Sequence, residues 1–355
     1  MHSNQLMIVA EPTLLWIKKS FEVCGGKGSA AWYSNIRRPF CGWSEAYPET
    51  TGYIIETLLD YYEIYRVDWM RFYAICAADW LTNIQSAEGS FPGGLGTAGR
   101  PSIFNSGMIL LGLERMYAFS GQERYFTSAK KTVNWLCNML DEEGKWSGAA
   151  YVSGYTPSYY TRVIWAVLKF NQHDRDETVA EKMELAYHYF CQKFSAENSS
   201  KDWSFEPGKP AFTHTIAYTM RGFLESAVLI NDSKGIEIAE EIGAHLLLEL
   251  DTKGTLAGAY DENWKGDYSF ICVTGNAQLS INFYRLYQLT RQEKYKNASH
   301  ALFSSVKNAV STDSLTSIRG GIPGSIPFWG KYMPLQYINW AAKFWLDAAK
   351  LILEN

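Results

Sequence analysis

Ser106-Gly107-Met108-Ile109-Leu110-Leu111-Gly112-Leu113 is apolar on almost every side of a helical projection. A helix of that kind is buried all round, so it must be enclosed by other elements. Working outward, the same position in a helix recurs as Gly52, Gly107, Arg162, Ala217, Ala277 and Tyr337, about 55 to 60 residues apart. A second series runs half a period earlier: Trp16, Trp80, Trp135, Phe190, Leu247 and Val306. A fixed period of this size marks a repeat architecture. Two helices in each of six periods predict an all-α chain, an (α/α)6 barrel or toroid of six helical hairpins, with residues 1–355 forming one domain.

The two series differ in character. Helices are expected over about 5–20, 68–85, 123–140, 176–194, 234–250 and 292–309. In the third, Phe126, Ala129, Val133, Leu136 and Leu140 form one apolar stripe, with Lys130, Lys131 and Asn134 off it. That amphipathic pattern places this series outside. The series over about 50–64, 104–119, 158–170, 214–230, 275–289 and 335–352 is poorer in charge and richer in small residues, which places it inside. Inner-to-outer connections are short, such as Ser120-Gly121-Gln122. Outer-to-inner connections are long and rich in Trp, Tyr, Phe and Gly, as in 86–103, 141–157, 195–213, 251–274 and 311–334. Loops that long are commonly functional. All must emerge at one pole, where the inner helices begin and their unsatisfied N–H groups favour an anionic ligand.

Composition bounds the function. A formal charge of −4, with 37 acidic against 33 basic residues, argues against nucleic acid as a partner. No apolar run approaches the ~18 residues of a membrane span. The first ten residues lack a basic cluster, so no signal peptide is expected. The six cysteines form no C-x-x-C pair and read as reduced thiols of a cytoplasmic protein. No metal-ligand spacing is present, and no metal or cofactor is expected. The oligomeric state is left open.

Gln85-Ser86-Ala87-Glu88-Gly89-Ser90-Phe91 resembles the Q-x-x-x-G-x-W/F turn of the terpenoid cyclase and protein prenyltransferase toroids, and Glu143-Gly144-Lys145-Trp146 is a degenerate copy. The acidic motif of squalene-type cyclases and the zinc set of prenyltransferases are absent, so isoprenoid chemistry does not follow. The run Gly42-Trp43-Ser44-Glu45-Ala46-Tyr47-Pro48-Glu49-Thr50-Thr51-Gly52-Tyr53 is similar to α/α-barrel proteins of bacterial polysaccharide gene clusters. It is similar in style to polysaccharide lyases and unsaturated-uronate hydrolases. That resemblance implies action on sugars, often acidic ones, at the loop-rich mouth.

Candidate chemistry follows from the loops. Glu45 and Glu49 could form the carboxylate pair that glycoside hydrolysis requires, or Glu49 could satisfy a helix N-terminus. His214 at the start of the fourth inner helix suits proton transfer as a neutral base, or a buried structural role. Asp261 and Glu262 complete the candidate catalytic set. Trp264 and Asp267 share their loop, where Tyr260 adds an aromatic face suited to a sugar ring. Trp43, Tyr47, Tyr159, Tyr160, Tyr218 and Trp329 are candidate substrate-binding aromatics. Arg100, Arg162 and Arg319 are candidate anion binders, and Arg162 breaks the small-residue series on an inner helix, where a buried charge requires a partner. The expected function is cleavage of a glycosidic bond in an acidic glycan, by hydrolysis or elimination. An enzyme of isoprenoid or lipid-linked substrates and a non-catalytic glycan-binding protein are the alternatives.

Overall fold

The structure is a computed structural model describing residues 2–35, 42–197 and 201–354. The described residues form twelve α-helices. The outer ones are α1 (His2–Glu22), α3 (Asp68–Ile84), α5 (Glu123–Asn138), α7 (Glu177–Glu197), α9 (Lys234–Lys253) and α11 (Glu293–Lys307). The inner ones are α2 (Pro48–Tyr65), α4 (Ile103–Ser120), α6 (Thr161–Asn171), α8 (Thr213–Ile230), α10 (Val273–Thr290) and α12 (Asn339–Leu353). Each inner helix packs on the next, and α12 returns to α2, so the ring closes. The expected (α/α)6 toroid is the observed fold.

Small residues set the wall thickness. A Cβ on Gly112 of α4 would stand 2.0 Å from the carbonyl oxygen of Gly52 on α2, so these helices approach backbone to backbone. Ser102 caps α4, accepting from the Asn105 N–H at 3.3 Å, and Gly121 in the left-handed region (φ 64°) ends it. The turn motif ties loop to outer helix. The Gln85 side-chain amide donates to the Gly89 and Ser128 carbonyls and to Thr132 Oγ1 at 3.1, 2.9 and 2.9 Å, fastening the end of α3 to α5. Gly89 (φ 103°) lies so close to α5 that a Cβ would meet the Lys131 carbonyl at 2.3 Å. The degenerate copy repeats the device: Gly144 lies against Leu185 of α7, and Trp146 is fully buried.

The long loops share one pole and pair with each other through short strands. Trp32–Ser34 joins Gly42–Trp43 and Tyr337–Ile338, which links the first connection to the last. Ala211–Phe212, Ala259–Tyr260 and Gly266–Asp267 form a second sheet, and Ile271–Cys272 pairs with Ser325–Ile326.

The sixth repeat departs from expectation. α12 begins at Asn339, because residues 335–338 complete a turn and a strand, so Tyr337 is not a helical position. Counting from each inner helix start, with the 3-10 turn Ser158–Tyr160 leading into α6, the equivalent of Gly52 is the fifth residue, Lys343. The inner ladder therefore carries two cations, Arg162 and Lys343.

Candidate active site

The same register defines layers down the barrel axis. The second residues of the inner segments are Glu49, Phe104, Tyr159, His214, Thr274 and Trp340. One turn deeper, the sixth residues include Tyr53, Tyr218, Gln278 and Phe344, and the ninth include Glu56, Arg221 and Asp347. Residues spaced i, i+4 and i+7 share a helix face, which here is the axial one.

Glu49 and His214 enter the top layer from α2 and α8, three places apart around the ring of six. Glu49 is 7% exposed and His214 4%. The Tyr47 hydroxyl donates to Glu49 Oε2 at 2.6 Å. Burial pushes the Glu49 carboxyl up to about 7, despite the opposing effects of Tyr47 and the Arg162 charge. The group therefore titrates where an acid–base catalyst works best. His214 is held neutral: burial, helped by Arg162, lowers it to about 3. The Gln278 amide meets His214 Nδ1 at 2.8 Å and fixes the tautomer. With the amide N–H donating, Nδ1 accepts and Nε2 carries the proton.

Aromatic rings enclose the pair. Tyr218 lies 4.4 Å from the His214 ring, between centroids, and Phe104 packs on Tyr218 at 5.2 Å and on Tyr159 at 4.9 Å. Burial and the Glu49 charge push the Tyr218 phenol well up, so it stays protonated. Tyr332, from the last long loop, covers His214 at 5.3 Å and accepts from Trp340 Nε1 at 2.9 Å. Phe205 lies over the same imidazole at 6.1 Å.

Arg162 lies below and is 4% exposed. Its guanidinium stacks at 4.8, 5.0 and 5.4 Å from the Tyr218, Trp165 and Phe344 rings, and its Nε donates to Met108 Sδ at 3.1 Å. No carboxylate among the described residues forms an ion pair with it. Beneath it, a cavity of about 440 Å³ runs toward the short-turn pole, bordered by Gln278, Arg221, Lys343 and, near its outlet, Asp60 and Glu354.

Other candidates lie elsewhere. Glu45 is exposed on the loop surface, whereas Glu49 is buried, so the two do not form one buried carboxylate pair. Asp261 caps a tight turn, accepting from the Asn263 and Lys265 amides at 2.9 and 3.0 Å, and Glu262 is exposed. Trp264 stacks on His245 of the outer helix α9, ring centroids 4.5 Å apart. Asp267 pairs with Lys331 at 2.6 Å, which with Ser269 lowers its carboxyl to about 2. Arg100 and Arg319 are exposed, and Trp329 is 73% exposed. Trp43 packs between Trp16 and Tyr33, and Tyr160 is buried against Trp146. The five described cysteines are free, and Cys41 lies outside the described residues. Among the described residues no helix is long and apolar enough to cross a membrane.

Gln278, Tyr332 and Lys343 were not anticipated. Gln278 is a polar residue one turn inside an otherwise buried helix, which is a legible signal. Lys343 was hidden by the misplaced sixth register.

No family model matches this chain, and no curated protein matches it in sequence. Solved structures do. A sugar epimerase from a ruminal bacterium superimposes with a TM-score of 0.77 at 13% identity, covering 99% of each chain. An unsaturated glucuronyl hydrolase responsible for glycosaminoglycan degradation, from Bacillus sp. GL1, superimposes at 0.74 and 12% identity, covering 97% of this chain and 96% of that one. A D-mannose isomerase gives 0.75 and 13%, covering 99% and 97%. These likenesses establish the α/α-toroid fold.

Proposed function

We propose that the protein is a carbohydrate-active enzyme that moves protons on a sugar bound at the loop pole, cleaving a glycosidic bond beside an acidic sugar. The observation that supports this most is Glu49: a buried carboxyl, hydrogen-bonded to Tyr47 and titrating near 7, at the mouth of a toroid. Below that pH it donates a proton to a leaving oxygen, and above it the carboxylate accepts one. The surrounding Tyr218, Phe104 and Tyr159 offer apolar faces to a sugar ring. Access requires Tyr332 and Phe205 to swing off His214, as lid residues do in many enzymes.

A second reading, epimerisation or isomerisation of a free sugar, draws on one specific observation. The top layer holds one carboxyl and one neutral imidazole rather than two carboxyls. Proton removal and return at a sugar carbon needs one such acid–base set. The names of the epimerase and isomerase neighbours fit this reading, and that of the glucuronyl hydrolase fits the first.

The deciding experiment incubates the protein with unsaturated uronyl disaccharides, and separately with aldoses and cellobiose in D2O. Released monosaccharide supports cleavage, while deuterium incorporation without chain shortening supports epimerisation. Full activity of Glu49→Gln on whichever substrate turns over would overturn both.

A further inference from the structure

The axial cavity at the short-turn pole is separate from the Glu49 layer, and its wall is built for a ligand. Its cations are almost all matched: Lys169 pairs with Glu56 and Glu114 at 2.9 and 2.7 Å, Lys350 with Asp60 at 2.8 Å, and Lys343 with Asp347. Arg221 reaches Glu225 at 2.9 Å through one nitrogen, while its Nε and Nη1 are buried without hydrogen-bond partners. Arg162 forms no ion pair with a described carboxylate, although it is 4% exposed. Gln278, 3% exposed, spends one end of its amide on His214 and leaves the other without a partner. An unpaired buried cation is costly, and so is an unsatisfied buried polar group. Here they border one void of about 440 Å³, within the usual range for small-molecule sites.

We propose that this cavity is a second binding site, for a small polyhydroxylated carboxylate such as a free sugar acid, with its carboxylate on Arg162 and Arg221. Arg162 has no carboxylate of its own, and a singly charged ligand suits it better than a phosphate dianion, because Glu56, Asp347 and Glu354 already border the same low-dielectric void. Planar guanidinium groups suit the two oxygens of a carboxylate. The unpaired end of Gln278 suits a ligand hydroxyl, which can donate or accept. The site goes beyond the proposed reaction, because its outlet lies at the pole opposite the long loops.

The test uses the full chain and calorimetric titration with D-glucuronate, acetate, D-glucose and inorganic phosphate. Saturable one-to-one binding of glucuronate is expected, at least tenfold tighter than acetate, with no binding of glucose. Arg162→Met should abolish binding while leaving the melting temperature equal or higher, since it removes an unmatched buried charge. Leu351→Trp, which narrows the outlet, should weaken binding at least tenfold and leave turnover at the loop pole unchanged. Glu49→Gln should lower turnover by roughly 10²- to 10⁴-fold and leave this binding intact, which separates the two sites. The proposal is overturned if glucuronate fails to bind, if Arg162→Met retains binding, if Leu351→Trp has no effect on it, or if phosphate binds more tightly than glucuronate.

Discussion

Glu49 and Glu56 occupy the same face of α2, two turns apart, the first buried and the second largely so at 16% exposed, yet they are driven in opposite directions. At the loop pole Glu49 has a phenol for a partner and rises to about 7. Toward the short-turn pole burial would raise Glu56 as well, but Lys169 and Lys343 overcome it and hold the carboxyl at about 2. Desolvation is common to both, so the nearest cation decides the outcome. One pole keeps a carboxyl that can change its charge near neutrality. The other holds Glu56 charged beside two lysines, while burial raises Asp347 in the same cavity despite its pair with Lys343.

The contrast has a pH signature. A carboxyl raised in the folded state binds protons more readily there than in the unfolded chain. Glu49 therefore removes stability as pH climbs from about 4.5 to about 7, on the order of 3 kcal/mol in all. Glu56 is depressed, so its contribution is complete above about 4.5 and is lost as pH falls toward 2, again on the order of 3 kcal/mol.

The sharpest challenge to this picture is Glu49→Gln. Turnover should fall by roughly 10²- to 10⁴-fold, and the limb of the pH–rate profile near 7 should vanish. Denaturant melts should show the variant more stable than the parent at pH 8 and no different at pH 4. Equal stability at pH 8 would mean that the surroundings do not raise the Glu49 carboxyl. At the other pole, Glu225→Ala strands Arg221 and Arg285, both of which bond to it at 2.9 Å, and should cost about 3–5 kcal/mol in urea unfolding. A loss below ~1 kcal/mol would dissolve the distinction between a paired and an unpaired pole. Gly112→Ala tests the wall joining the two poles. With the Gly52 carbonyl in the way it should cost about 1–3 kcal/mol, read as a lower melting temperature. The smallest effect belongs to the peripheral loop, where Asp267→Asn breaks an exposed pair and should change stability by less than about 1 kcal/mol, with turnover within twofold. A large loss of turnover there would move the chemistry to residues 261–267.

Much of the ring was legible because its signal is redundant. Trp16, Trp80, Trp135, Phe190, Leu247 and Val306 all lie on outer helices, so an error at one would not have shifted the rest. The sixth inner register failed for a local reason: the apolar stretch before Asn339 is spent on a turn and a strand that pairs with Tyr33, and hydrophobicity alone does not separate that from a helix. That Glu49 and His214 stand at the starts of inner helices was readable from the order of long loop and helix. Arg162 stood out as a charge among small residues. The 261–267 acids misdirect because density of carboxylates says nothing about direction, and Trp264 turns toward α9 instead of the axis. Tyr332 had no readable signal, since its role depends on a long loop folding over a helix more than a hundred residues earlier in the chain.

The packing of α1 against α12 makes a seam where the first and last hairpin meet. α1 starts and α12 finishes at the same pole, and the described end of α12 stands at the axial outlet that Glu354 borders. A bulky group attached after α12 would crowd that outlet and leave the loop pole clear. A circular permutant rejoined across the seam and reopened at Gly121 would keep every layer of the axis intact.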